Sequence, residues 1–472
     1  MPCRYRETCL PCRYRETCDM HQQFDVAIVG AGFAGIACAI ALVKRNPALN
    51  IVLLDPAAKL PAGLPFAGAR PEHLLNVRAD QMSLDSAQPL HFCDYLAQHG
   101  NQSSADVREV FAPRTLYCDY VREVFQAAQH DAVAGLGQIK AIQLHVSEIT
   151  LMDQHYLISS TFDDANELRL IRAPHVILAL GAGEYKSLLT HPRWHLGPWR
   201  LTDLPAHTPG DTALIIGSGL TGIDSAQTLH RLGWCGAIKM LSPTARLPAA
   251  NLAHGVPIWQ LAPDFVQLSQ TPRLFLQALR VELARAKTES VDWRAALNAL
   301  RAITTQIFVG WTPRQRVSML RRAGSLWGAH RHRMPPSVAA LISALELSGQ
   351  LSRVRGRFVD VQARSETALR VQIAGRIQTD PCAQDYALVI DARGPNYRAQ
   401  DWPLVTKMID SGLLKASLTG FGLHVDSDGR VGEQIYTLGV LTYGERLETM
   451  AVPEIRQQAE RIAELVATQV AA

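Results

Sequence analysis

The chain has 472 residues, 47% of them hydrophobic, which is enough for two or three domains with sizeable cores. Lys plus Arg (47) against Asp plus Glu (43) leaves a net charge of +4, too balanced for nucleic acid to be the main partner. Nine cysteines in no regular framework argue against a disulfide-stapled secreted scaffold and predict a reducing, cytoplasmic setting.

The first eighteen residues hold a tandem repeat, since Pro2–Cys9 and Pro11–Cys18 both read PCRYRETC. Cys3, Cys9, Cys12 and Cys18 fall here, and the Cys9–Cys12 spacing resembles half of a zinc site. Duplication creates that spacing unaided, so no metal is inferred. Residues 1–19 are expected to form a disordered segment ahead of Met20. No basic segment followed by an apolar signal-peptide core is present there.

Phe24–Val43 is long and apolar enough to suggest a membrane helix. Asp25 and three spaced glycines favour a strand, a turn and a helix instead, so no membrane partner is expected. Phe24–Val29 reads as a buried parallel strand, followed by Gly30–Ala31–Gly32–Phe33–Ala34–Gly35, a G-x-G-x-x-G fingerprint. A helix is predicted over Ile36–Lys44, and a second strand, Ile51–Leu54, ends on Asp55, twenty residues after Gly35. Gly30 would permit the tight turn, Gly32 the approach of a pyrophosphate, and Gly35 close helix–strand packing. The helix N-terminus would attract the phosphates, and Asp55 would accept ribose hydroxyls.

The pattern returns downstream. A strand at Thr212–Ile216 leads into Gly217–Ser218–Gly219–Leu220–Thr221–Gly222, a helix at Ile223–Leu232 and a strand at Ala237–Leu241. Ser242 occupies the place of the acid, twenty residues after Gly222, with Arg246 close by. A neutral residue beside an arginine leans towards a 2′-phosphate, hence NADPH over NADH.

Ala173–Gly183 reads as a strand that returns to the first sheet, and Ala387–Pro395 as a later crossing back. The expected fold is therefore α/β, with two Rossmann-like, doubly wound dinucleotide-binding domains, the second inserted in the first. The FAD-binding domain is expected over residues 20–200 and 380–472, and the NAD(P)H-binding domain over 205–375. A helical insertion rich in Ala, Leu and Arg is expected from Thr271 to about Gln350.

Four further segments carry a family resemblance. His73–Ser83 is similar to an LLNV-x-A…MS motif; Phe111–Arg114 with Tyr117 and Tyr120 is similar to F-x-P-R…Y. Leu326–Trp327 with His330–Pro336 is similar to W-x-x-HRHR-x-P, and Ala451–Ala459 to AVPEIR-x-QA. In this order around two fingerprints, they resemble a family of bacterial FAD/NAD(P)-binding proteins. That family includes an FAD-dependent urate hydroxylase and a flavin N-hydroxylase of aspartate. The sequence departs from it at Arg78, where proline is usual, at Phe66–Ala67–Gly68, and at Asp391–Ala392–Arg393 before Gly394.

The resemblance implies an NAD(P)H-dependent FAD monooxygenase acting on a small molecule with molecular oxygen. It favours hydroxylation of urate to 5-hydroxyisourate, in purine catabolism, through a flavin hydroperoxide. The alternatives are N-hydroxylation of an amino acid or a non-hydroxylating FAD/NAD(P)H oxidoreductase. It also implies cofactor contacts by Asn76, Met82, Gly394, Val452 and Pro453, with the last helix aiming its N-terminus at the flavin. Arg114, Tyr117 and Tyr120 would suit a planar anionic substrate or the cofactor phosphates. His330, Arg331, His332 and Arg333 are substrate-site or phosphate candidates; His330 and His332 lack the companions of a metal site. His73, His330 and His332 are proton-transfer candidates. A disulfide reductase is disfavoured because Cys38, Cys93 and Cys118 form no redox pair.

Overall fold

The computed structural model describes residues 22–57, 60–61, 63–100, 107–160, 170–182, 187–375, 381–394 and 397–470. The repeat segment 1–19, Gly183 and Pro395 lie outside the described residues.

Val26–Val29 is buried throughout because it lies inside a six-stranded sheet with neighbours on both edges. In sheet order the strands are Arg430–Gly432, Ile435–Thr437, His175–Leu178, Val26–Val29, Asn50–Asp55 and Gln138–Gln143. All pairings are parallel except the first. Side chains alternate between the two faces of this sheet. Val26 and Ile28 pack against the helices Phe33–Arg45, Arg114–Ala134 and Val452–Val470. Ala27 and Val29 pack against a four-stranded sheet and the helix Pro403–Asp410, through Ile158, Ile171, Val405 and Met408.

A second sheet of five strands runs Leu351–Arg355, Ala237–Ser242, Thr212–Ile216, Leu388–Asp391, Trp194–Leu196, all parallel. One face carries the helices Leu220–Arg231 and Pro336–Leu347, through Ile223, Leu229, Val338 and Ile342. The other face is covered by the three-stranded antiparallel sheet Arg357–Ser365, Ala368–Ala374 and Cys382–Tyr386. Two helix-flanked, largely parallel sheets make this the α/β Rossmann-type architecture expected.

Between the paired strands Ala237–Ser242 and Leu351–Arg355 the chain leaves the second sheet for a helical layer. Its helices include Pro272–Thr288, Trp293–Ala299 and Pro313–Arg331. Thr271 caps the first of these, and Thr312 opens the last with a capping box closed by Gln315. Phe265, Phe275, Phe308, Trp311 and Trp327 give this layer a core of its own.

Three expectations need correction. Ala387–Pro395 is not a crossing back to the first sheet, because Leu388–Asp391 pairs in register with Ala213–Ile216 of the second. A fully buried parallel strand is apolar on both faces, so its sequence carries no mark of the sheet it joins. Trp194–Leu196, placed with the FAD domain from sequence, is likewise an edge strand of the second sheet. The first fingerprint helix also begins at Phe33, inside the motif, rather than at Ile36.

Candidate functional site

Gly30 adopts φ +103°, and a Cβ there would lie 2.3 Å from the Ala179 carbonyl oxygen. A Cβ on Gly35 would lie 1.9 Å from the Gly30 oxygen. No larger residue fits either place. Gly32 caps the helix, and the first intrahelical bond is Ile36 N–H to Gly32 O. The amides of Phe33, Ala34 and Gly35 thus face the turn with no acceptor inside the helix, the arrangement that binds a pyrophosphate. Asp55 braces this turn, its Oδ2 accepting from Ala31 N and its Oδ1 from Ala57 N, each at 2.8 Å. A carboxylate keeps further lone pairs for ribose hydroxyls. Thr449 Oγ1, three residues before the last helix, is buried with no partner among the described residues, as a bound group's polar edge would require. Asn76 is half-buried, and its backbone carbonyl accepts from Asn251 Nδ2. Val452 and Pro453 are buried at the start of the last helix.

The second fingerprint repeats the geometry. Gly217 has φ +119° with its virtual Cβ 2.4 Å from Ala392 O, and that of Gly222 lies 2.3 Å from Gly217 O. Gly219 has open space above it and caps the helix Leu220–Arg231. Ser218 Oγ lies 2.8 Å from Ser242 Oγ and 2.6 Å from Arg246 O, so the two serines close the turn that Asp55 closes in the first site. The Arg246 side chain is exposed, and Arg355, opposite Ser242 in the sheet, donates to Pro243 O. Gly394, at φ +81°, follows Leu388–Asp391 and so belongs to this second site rather than the first.

The substrate candidates in the F-x-P-R…Y motif are used elsewhere. Tyr117 is fully buried, donates to Met82 O at 3.0 Å, and packs among Phe33, Phe66, Phe92 and Tyr120. Buried Met82 acts there through its carbonyl. Tyr120 is also fully buried, beside His91 and the Leu84 amide. Arg114 makes a buried ion pair of 2.7 Å with Asp224 on the second fingerprint helix, and its Nε donates to Leu74 O. One turn along that helix, Thr228 Oγ1 lies 2.9 Å from His73 Nε2. His73 Nδ1 accepts from Arg70 N, so Nε2 carries the proton and donates to Thr228. Burial pushes the His73 pKa down, keeping the ring neutral. Arg114 and His73 thus join the two nucleotide-binding regions. Arg78, the departure from proline, extends this contact by donating to Leu252 O and His254 O.

The HRHR run splits four ways. His330 is exposed, with Nδ1 against Leu326 O at 2.9 Å in its own helix. Arg331 donates to Glu448 Oε1 at 3.1 Å, an oxygen also held by Trp327 Nε1. His332 is pushed down to about 4 by burial and then by the neighbouring Arg331 charge. Arg333 donates to Asn251 Oδ1 at 2.8 Å and to Asn298 Oδ1 at 2.6 Å. Beside them, Arg301 grips Glu454 and reaches Gln81 Oε1 at 2.8 Å. Burial opposes ionisation of Glu454, but Arg301 and Arg331 hold its pKa below the ordinary carboxylate value. Glu448 is raised by burial. A cleft of about 900 Å³ opens here, lined by Trp259, Phe265, Asn298, Arg301, Glu448 and Glu454. Asp224, Asn251, Asn298 and Glu448 were not singled out from sequence; the one available signal was Asp224, an acid on the buried stripe of an amphipathic helix.

Residues 27–183 match the family model for FAD-NAD(P)-binding proteins. Together with the two glycine turns, this match supports binding of FAD and NAD(P) on a Rossmann-type fold. No curated protein sequence matches it significantly. Among solved structures, the reduced form of ornithine hydroxylase from Pseudomonas aeruginosa is similar at 15% identity and TM-score 0.64, over 95% of this chain and 100% of that one. L-lysine 6-monooxygenase from Pseudomonas syringae is similar at 16% identity and TM-score 0.63, again over 95% and 100%. The ornithine N-hydroxylase of Kutzneria sp. 744, with reduced FAD, NADP+ and L-ornithine, is similar at 13% identity and TM-score 0.64, over the same shares. Among the described residues no helix is long and apolar enough to cross a membrane.

Proposed function

We propose that this protein is an NADPH-dependent FAD monooxygenase that hydroxylates the amino nitrogen of a small amino acid. The observation that carries the reading is likeness in fold over 95% of the chain to the full length of ornithine and lysine hydroxylases. Bound FAD supplies the redox chemistry, passing two electrons from NADPH to molecular oxygen so that one oxygen atom enters the substrate and the other leaves as water. The chain's own residues hold and shield. The first fingerprint amides hold the FAD pyrophosphate, and Asp55 keeps that turn in shape. Gly217, Gly219 and Gly222 admit the nicotinamide dinucleotide, with exposed Arg246 placed for a 2′-phosphate. The cleft beside the last helix, with Glu448 and Glu454 in its wall, receives the substrate amine while the helical layer screens it from water.

Urate hydroxylation, favoured from sequence, loses its structural support because Tyr117 is core and Arg114 already has Asp224. The test follows NADPH oxidation, oxygen uptake and hydroxylamine formation with L-ornithine, L-lysine, L-aspartate, 1,4-diaminobutane and urate. Hydroxylamine formed in step with NADPH consumed is the expected result. Stimulation by urate alone, with urate consumed, would restore the earlier reading. Hydrogen peroxide as the only product with every amine would sink N-hydroxylation.

A further inference from the structure

Arg333 differs from the other arginines that tie the helical layer down. Arg301 has Glu454, Arg316 has Glu445 and Arg331 has Glu448. Arg333 is 7% exposed yet makes no ion pair among the described residues, Asp292 acting on it only at a distance. Its Nε and Nη2 are fixed by the oxygens of Asn251 and Asn298, and its Nη1 is buried with no partner among the described residues. Neutral amides orient a guanidinium but do not balance its charge, and a buried cation without a counter-ion is costly. The carboxylates nearby do not relieve it, because Asp292 is paired with Arg294, Glu109 with Arg78 and Glu448 with Arg331. Burial, followed by the charges of Arg331, Arg294 and Arg78, lowers the Arg333 pKa to about 10.

Position gives this vacancy a meaning. Asn298 holds Arg333 from one side and lines the cleft. Asn251 holds it from the other and donates to Asn76 O, in the segment expected to meet the flavin. Met334 pairs with Ala250, so the loop bearing Asn251 and the strand-like exit of the long helix are fixed to each other by backbone bonds.

We infer that Arg333, oriented by Asn251 and Asn298, is the binding site for a carboxylate of the amino-acid substrate. The guanidinium offers Nη1 and shares Nη2, the geometry that takes a carboxylate in a charge-assisted pair. The site selects amino acids over simple amines: a carboxylate relieves the buried cation, whereas an amine of the same length adds to the positive charge. This rests on the cleft reading above, and it names the part of the substrate that chain residues recognise.

The test uses the full-length FAD-bound protein and measures dissociation constants by calorimetry for L-aspartate, L-ornithine, succinate, 1,4-diaminobutane and NADPH. Succinate has carboxylates and no amine, so it reports on the site whether or not any nitrogen is hydroxylated. The amino acids and succinate are expected to bind and the diamine to bind far more weakly. Arg333→Met should weaken every carboxylate by at least about thirtyfold and leave NADPH within about twofold, since truncating one partner of a buried charge pair is expensive. Arg333→Lys, which keeps the charge and loses the planar fork, should fall between the two. Should Arg333→Met fold poorly, Asn298→Ala at the exposed wall tests the same orientation and should weaken carboxylates without altering thermal stability. Equal carboxylate affinity in parent and Arg333→Met, or no carboxylate binding by the parent in the millimolar range, overturns the inference. Loss of NADPH with carboxylates retained also overturns it, by assigning the oxyanion to the nicotinamide cofactor. If carboxylates bind as expected but no hydroxylamine forms, it is N-hydroxylation that fails, and the site stands.

Discussion

Arg114 and Arg333 both sit in motifs that looked suited to an anion, and both end up largely covered, yet their surroundings are opposite. Arg114 meets Asp224 at 2.7 Å, and the pair seals one nucleotide-binding region against the other. Arg333 meets two asparagine oxygens and keeps one nitrogen open. The first arrangement is complete and can only hold structure together. The second lacks a negative charge, which a ligand can supply. A buried arginine is thus read by its counter-ion rather than by its motif.

The largest expected effect breaks the complete pair. Arg114→Met leaves Asp224 buried and unpaired and should cost on the order of 3–5 kcal/mol in denaturant unfolding. Arg114→Met with Asp224→Leu should recover most of that loss, because similar-sized apolar groups can replace a buried pair. Arg333→Met should lack so large a cost, since it removes a cation that has no carboxylate partner. Equal losses at Arg114 and Arg333 would erase the contrast.

Next in size is the cofactor preference. Arg246→Ala should weaken NADPH by about tenfold, the value of one exposed charge-assisted contact, and leave NADH unchanged. An equal effect on both nucleotides would remove Arg246 from the 2′-phosphate. Tyr117→Phe should lose about 1 kcal/mol, one hydrogen bond to Met82 O, with the affinity for every substrate unchanged. A selective loss of urate binding in that variant would return Tyr117 to the substrate site.

A further effect concerns pH. His332 is neutral in the fold, its pKa pushed down to about 4 by burial and then by Arg331. Between the ordinary histidine value of about 6.5 and that value the unfolded chain binds a proton that the folded chain does not. Its contribution is therefore full above about pH 6.5 and is lost as pH falls towards about 4. His332→Gln should flatten the decline of Tm across that interval, and an unchanged slope would assign the decline to the other histidines lowered by burial, His73, His175 and His195.

Much of the cofactor framework was legible in the sequence. Strands, glycine turns and the twenty-residue spacing to Asp55 and Ser242 are local patterns, and the structure forms the strands and turns there, with Asp55 and Ser242 each hydrogen-bonded into its turn. The strand Leu388–Asp391 was legible as a strand but not as part of the second sheet, since buried parallel strands look alike. Tyr117 was legible as a motif residue but not as core, because a tyrosine on a helix reads the same whether it faces a ligand or Met82.

The sequence alone determined where the backbone must turn tightly and which helix ends face a phosphate, because glycine geometry and helix polarity are properties of a few neighbouring residues. Only the tertiary structure decided which charges are balanced. The partner of Arg114 comes from the second fingerprint helix, and those of Arg333 from a loop and a helix of the insertion. Such pairings depend on how distant segments meet in space, and whether a buried arginine is a brace or a receptor follows from that meeting.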